Sequence, residues 1–188
     1  MKHAFLIKGL SIPLSYILNF LILSTVDIGE AGFYFGVVAS SSIAVALIFG
    51  AWTKIIVREC AYEKSMVYRY KTLVKYLYYI SLIFFFIYIM YLDEFHKNVI
   101  YYVFISIPIF AASSVISALL RGAGMLRLGN IEGTLLRPSL IVVVLALAVY
   151  FGAKPTYESI FIVTYASIAV FSGFALIKLK EGCALANK

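Results

Sequence analysis

The sequence predicts an all-α polytopic membrane protein with six transmembrane helices, and three observations lead to that fold class. Of the 188 residues, 63% are hydrophobic and only 13% are charged, which is outside the soluble range. The apolar residues form six long stretches without an alternation of period two, so the backbone can satisfy its hydrogen bonds in lipid only as helices. The connections between these stretches alternate between strongly and weakly basic, as expected for loops on opposite sides of a membrane.

Each stretch has close to the about 20 residues that a helix needs to cross the hydrocarbon core. We predict one six-helix lobe over residues 1–188, with spans at residues 9–26, 33–53, 73–92, 99–120, 135–151 and 160–177.

The first three predicted spans differ in the kinds of side chain that they carry. Residues 9–26 begin with basic residues but are long for a signal-peptide core and lack a clean cleavage site, so they are kept as a span. Residues 33–53 repeat Gly36, Ser40 and Ala44 at four-residue spacing, which is typical of close helix packing in membranes. Residues 73–92 are crowded with Tyr and Phe and are expected to face lipid.

The last three spans have their own signals. Residues 99–120 concentrate Ala and Ser between Ala111 and Ala118, and this surface is expected to meet other helices. Pro138 stands near the start of residues 135–151, where its missing N–H costs little. Residues 160–177 are followed by a basic tail that includes Lys178 and Lys180.

The distribution of basic residues predicts the orientation. Of the 16 Lys and Arg residues, 14 lie in alternate segments, and the other two are Lys97 and Lys154. Because short loops rich in Lys and Arg stay in the cytoplasm, we expect both termini to be cytoplasmic. The net charge of +7 is spread over separate segments, so we interpret it as orientation and attraction to anionic membrane lipids, and we expect no nucleic-acid partner.

Residues for catalysis, metal binding or redox chemistry are scarce. His3 and His96 fall on opposite sides of the predicted membrane, and Cys60 and Cys183 fall in cytoplasmic segments, where thiols stay reduced. Metal-spaced clusters and nucleotide-binding motifs are absent from the sequence, so we expect no enzyme, no cofactor and no metal. Asn19 is the strongest polar residue in the middle of any span, and it either bonds a neighbouring helix or faces a water-filled cavity.

The most specific text lies in the fourth connection, from Ala118 to Pro138. Its Arg121-Gly122 pair, Gly129, Glu132 and the Leu-Leu-Arg-Pro run that ends at Pro138 resemble the loop between helices four and five of polysaccharide biosynthesis membrane proteins. These are the O-antigen or lipid-linked oligosaccharide flippases, in the wider superfamily that includes the MATE multidrug exporters and the murein-precursor flippase.

The first hairpin, from Asp27 to Arg58-Glu59, is similar to the same family, although Gly32-Phe33-Tyr34 departs from its usual Phe-Gly order.

The resemblance implies the N-terminal lobe of a two-lobe flippase in the bacterial cytoplasmic (inner) membrane. Its cargo would be an undecaprenyl-pyrophosphate-linked oligosaccharide, moved by alternating access. A second lobe, another subunit or a second copy of this chain would then complete the path. The candidate substrate-binding residues are Arg58, Arg121, Arg127 and Arg137 as phosphate or lipid contacts, and Asn19 as a cavity residue.

Simple anchoring of the arginines at the membrane surface remains an alternative. A lobe of a MATE-like drug exporter and a truncated, inactive or scaffold membrane protein are the alternative functions. The exporter would call for acidic residues within the spans, and the sequence has none near the middle of any span.

Overall fold

Every regular element in the computed structural model is helical, within the residues that it describes: 2–63, 66–90, 99–131, 135 and 137–185. The helices are α1 (Lys2–Thr25), α2 (Ile28–Tyr62), α3 (Met66–Met90), α4 (Val99–Gly122), α5 (Leu126–Ile131), α6 (Arg137–Tyr150) and α7 (Tyr157–Leu185). The predicted all-α class is confirmed for this part of the chain.

Each of the six predicted stretches overlaps one helix, and several helices extend well beyond their stretch. Helix α2 has 35 residues and is therefore about 52 Å long, against about 30 Å for a hydrocarbon core. Helix α6 has only 14 residues, about 21 Å. The end of the third stretch, residues 91–92, lies outside the described residues.

Three helices have the length and composition of full membrane spans among the described residues. They are α2, α4 and the segment Tyr157–Leu179 of α7. Two shorter apolar helices, Gly9–Thr25 and Pro138–Tyr150, correspond to the first and fifth predicted stretches. These helices indicate a membrane protein.

Helix α4 is the centre of the structure. It packs against α2, α3, α5 and α7, while α1 packs against α6 and α6 against α7. The small side chains of α4 make this possible, because Ala111, Ala112 and Ala118 are fully buried and let neighbouring helices approach closely. The expectation that this surface meets other helices is thus confirmed. On α2, Gly36 and Ser40 are exposed in the described lobe, so the corresponding expectation stays a prediction about helices outside it.

The short helix α5 is absent from the sequence prediction. Helix α4 ends in a turn in which Met125 N–H donates to Leu120 O at 2.8 Å, and Gly124 takes a φ of +84°, a conformation that favours glycine. The chain then folds back so that α5 lies against the end of α4. In the segment from Ala118 to Pro138, Gly124 therefore forms the turn, and Gly129 lies in the close contact between α5 and α4.

Candidate functional site

The structure separates the predicted site residues into two places. Arg58 lies near the C-terminal end of α2, Arg121 lies in the last turn of α4, and Asn19 lies on α1. Arg127 belongs to α5 and Arg137 begins α6, and the side chains of both lie outside what the structure describes.

Gly122 brings the ends of α2 and α4 into direct contact. A Cβ atom at Gly122 would lie 2.7 Å from the Cβ atom of Cys60 and 3.0 Å from the carbonyl oxygen of Val57. Since Arg58 follows Val57 and Arg121 precedes Gly122, the two arginines stand on helix ends that pack together.

The Arg121 side chain is held by α4 and α5. Its Nε–H donates to Ser117 O at 3.2 Å, and its Cγ atom would lie only 2.8 Å from a Cβ atom at Gly129. The aliphatic stem therefore fills the contact between the two helices, and the residue is half-buried. Arg121 thus has a packing role that the sequence prediction did not include.

Arg58 borders a cleft of about 440 Å³ lined by Arg58, Glu59, Tyr62, Glu63 and Met66. The Arg58 side chain is exposed and makes no ion pair with a residue that the structure describes. Its exposed guanidinium is the cationic group of the cleft, and the carboxylates of Glu59 and Glu63 beside it oppose the binding of an anion within the cleft.

A hydrogen bond joins α2 to α3 beside this cleft. The Tyr70 hydroxyl donates to Glu59 Oε2 at 2.5 Å, and this bond, with burial, raises the pKa of Tyr70 to about 12. The pair was not predicted from the sequence. Its only signal is spacing, because both residues lie five or six positions from Lys64 in a helical hairpin.

Asn19 lies on an exposed strip of α1. Ser11, Ser15 and Asn19 follow each other at four-residue spacing, so they share one side of the helix. The Ser15 hydroxyl donates to Ser11 O at 2.9 Å, whereas the Asn19 amide makes no hydrogen bond to a described residue. Of the two alternatives for Asn19, bonding to a neighbouring helix is therefore not found in the described lobe.

Helix α2 presents a matching strip of small residues. Gly32, Gly36 and Ser40 are exposed, and a Cβ atom at either glycine would meet nothing within 4 Å. Gly36 lies about 12 Å along α2 from its first residue, and Asn19 lies about 9 Å along α1 from its last residue. The two strips are thus at similar distances from the turn that joins α1 to α2, although the helices themselves make few contacts.

The opposite end of the lobe carries an aromatic cluster that the sequence analysis did not identify. Phe33 of α2 makes edge contacts with Tyr102 and Tyr157 at centroid distances of 5.3 and 5.1 Å, and Tyr102 stacks on Phe161 at 4.9 Å. Rings from three helices therefore pack together where α2 and α7 begin.

A cleft of about 360 Å³ beside these rings is lined by Asp27, Gly29, Glu30, Phe33 and Tyr157. Its two carboxylates cap helices: Asp27 Oδ2 accepts from Gly29 N–H at 3.2 Å, and Glu30 Oε2 accepts from Tyr157 N–H at 3.3 Å. Asp27 and Glu30 thus stabilise the starts of α2 and α7.

Helix α7 is joined to three other helices by side-chain hydroxyls. The Tyr34 and Thr164 hydroxyls share a hydrogen bond of 3.2 Å, and those of Ser106 and Tyr165 share one of 2.6 Å. The Tyr78 hydroxyl donates to Ser172 Oγ at 2.6 Å. These bonds fix the rotation and the depth of α7 relative to α2, α4 and α3.

The described residues contain no group of three His, Cys, Asp or Glu side chains that could hold a metal ion. No protein-family model, no curated protein and no solved structure matches the chain. The arrangement offers cationic helix ends at one side and a polar strip along one face, without a cluster for covalent chemistry in the described regions.

Proposed function

We propose that this chain is one lobe of a flippase. It would translocate an undecaprenyl-pyrophosphate-linked oligosaccharide across a bacterial cytoplasmic membrane for surface polysaccharide synthesis. The observation that carries the proposal is Asn19 on the polar strip of α1, which is exposed and makes no hydrogen bond to a described residue. A carboxamide at this depth is unfavourable against lipid tails, so this face borders water or another protein surface.

The topology of the proposal follows from the charges. The lobe crosses the membrane six times with both termini in the cytoplasm, which puts Arg58 and Arg121 at the cytoplasmic surface. A second lobe, from another subunit or a second copy, faces the α1–α2 strips and forms a wet path between the two. Parallel repeats related by an axis along the membrane normal are a known way to build such a path.

Transport needs no bond making in this scheme. The pyrophosphate is attracted to the arginines at the cytoplasmic rim, where the Arg58 side chain is exposed. Rocking of the lobes then opens the path to each side in turn, and Asn19 offers hydrogen bonds to sugar hydroxyls on the way.

Transport assays in vesicles test the proposal. The full chain is reconstituted with a fluorescent undecaprenyl-pyrophosphate oligosaccharide, and exchange between leaflets is followed with an impermeant quencher. We expect faster exchange than in protein-free vesicles, and a loss of at least about tenfold in Asn19→Leu because the path loses its amide. The matched control is Phe20→Leu, which alters the next exposed position of α1 and should leave the rate unchanged.

Two further results would each contradict one part of the proposal. If Arg58→Ala and Arg137→Ala both keep the wild-type rate, the phosphate-contact role of the arginines is wrong. If the wild-type chain gives no exchange and Asn19→Cys forms no crosslink to a second copy, a path formed by two copies of this chain is wrong.

A further inference from the structure

Five cations lie on the parts of α2 and α3 that the bond between Glu59 and Tyr70 joins, and we refer to them as the basic surface. They are Lys54 and Arg58 on α2, and Arg69, Lys71 and Lys75 on α3. Four are exposed and Lys71 is half-buried, and none forms an ion pair with a described residue. Two acids lie in the same region: Glu59 accepts a hydrogen bond from the Tyr70 hydroxyl, and Glu63 lines the cleft beside Arg58. The basic surface therefore carries positive charge that no described acid pairs with.

The length of α2 puts these cations beyond the apolar part of the helix. Lys54 lies about 39 Å along α2 from Ile28, which exceeds the about 30 Å of a hydrocarbon core. Ile48, Trp52 and Ile55 are all at least 40% exposed just before or beside Lys54. Within two turns the surface of α2 thus changes from exposed apolar side chains to exposed cations.

We propose that the basic surface binds the phosphodiester headgroups of anionic phospholipids in the surrounding bilayer. The partner must be negative at one end and apolar at the other, because the cations continue directly from apolar side chains that need lipid tails. A soluble acidic peptide satisfies only the first condition. Each cation near an anionic membrane surface contributes to such binding, and salt weakens it.

The proposal goes beyond the flippase function and does not depend on it. The lipid here is a resident of the membrane, held at the side of α2 and α3, and not a cargo. Loss of lipid preference with intact oligosaccharide exchange, or the reverse, distinguishes failure of one proposal from failure of the other.

The chain contains its own probe for this site. Trp52 is the sole tryptophan, it is 55% exposed, and it lies two residues before Lys54. The full chain is reconstituted in vesicles of brominated phosphatidylglycerol mixed with phosphatidylcholine, and in the converse mixture with the bromines on phosphatidylcholine. Quenching of Trp52 then reports which lipid is enriched beside α2.

We expect stronger quenching by the brominated anionic lipid at equal mole fraction, and this preference should fall as salt is raised. The variants Lys71→Gln and Lys75→Gln should each lower the relative binding constant by up to about fivefold. Glu59→Gln should raise it, because the variant removes a negative charge and keeps an oxygen that can accept from Tyr70. Lys154→Gln, a lysine at the other end of the lobe, is the matched control and should change nothing.

Opposite signs in Glu59→Gln and Lys75→Gln cannot come from general misfolding. Equal quenching by the two lipids in the wild-type chain would overturn the proposal, and so would an unchanged preference in both lysine variants.

Discussion

Gly122 and Gly129 lack side chains because two helix contacts leave no room for them. The space at Gly122 is limited by the Cβ atom of Cys60 and the backbone of Val57, and at Gly129 by the backbone oxygen of Ser117. Backbone atoms cannot rotate aside as a flexible side chain can. The motif that carries the resemblance to flippases therefore has a structural reason at two of its positions, independent of any substrate.

Gly122→Ala should destabilise the fold by about 1–3 kcal/mol, because the added methyl group overlaps Cys60 and Val57. Gly173→Ala is the matched control on α7, where a Cβ atom meets nothing within 4 Å, and alanine is the better helix former. Thermal unfolding in detergent, followed by Trp52 fluorescence, should show that the two variants shift the unfolding midpoint in opposite directions or by clearly unequal amounts. Equal shifts would mean that α2 and α4 do not approach at Gly122.

We expect the free energy of unfolding to fall at high pH because Tyr70 loses its proton. Its pKa is raised from 10.0 to about 12, so the neutral phenol is the form that the fold favours. The contribution of its bond to Glu59 is complete below pH 10 and is lost as the pH rises from about 10 to about 12.

The difference in unfolding midpoint between the wild-type chain and Tyr70→Phe should be constant below pH 10 and vanish by about pH 12. A difference that persists unchanged through this range would show that Tyr70 does not donate to Glu59.

At the scale of helices, composition predicted the long elements and missed the short one. Apolar stretches long enough to span lipid can satisfy their backbone only as helices, so their positions follow from sequence. Their ends do not, because α2 continues through polar residues to Tyr62. Helix α5 has six residues, and its formation depends on packing at Gly129, which no local pattern reveals.

The candidate site was also predictable only in part, because some of its features depend on helix packing. Charge and polarity are visible in sequence, so Arg58 and Asn19 could be selected before their exposure was known. The contacts of Arg121 with Ser117 and Gly129, and the bond between Tyr70 and Glu59, depend on how helices pack. The sequence of a membrane protein says little about which side chains of different helices pair, because most helix faces are apolar.

Helix α7 offers a test of interhelical bonding. Thr164→Val removes the hydroxyl that pairs with Tyr34 and should cost roughly 0.6 kcal/mol, and at most about 1.7 kcal/mol. Thr25→Val is the matched control, since the Thr25 hydroxyl donates to Leu21 O in its own helix. Unfolding in mixed detergents measures both. A cost for Thr164→Val no larger than that of the control would contradict a bond between α2 and α7.

For the whole molecule, the distribution of basic residues predicts one topology. Tyr62 should lie in the cytoplasm and Lys154 on the opposite side, and both are exposed. With Cys60 and Cys183 replaced by alanine, Lys154→Cys should react with an impermeant maleimide added outside cells, and Tyr62→Cys should react only after permeabilisation. The reversed pattern would contradict the orientation, and equal labelling of both from outside would contradict the intervening spans.

The bond between Glu30 and Tyr157, with the aromatic cluster around Phe33, has a mechanical consequence. It fastens α2 and α7 to each other and to α4 where the first two begin. Helices fastened at one end cannot separate there, so any relative tilt among them must pivot about these rings.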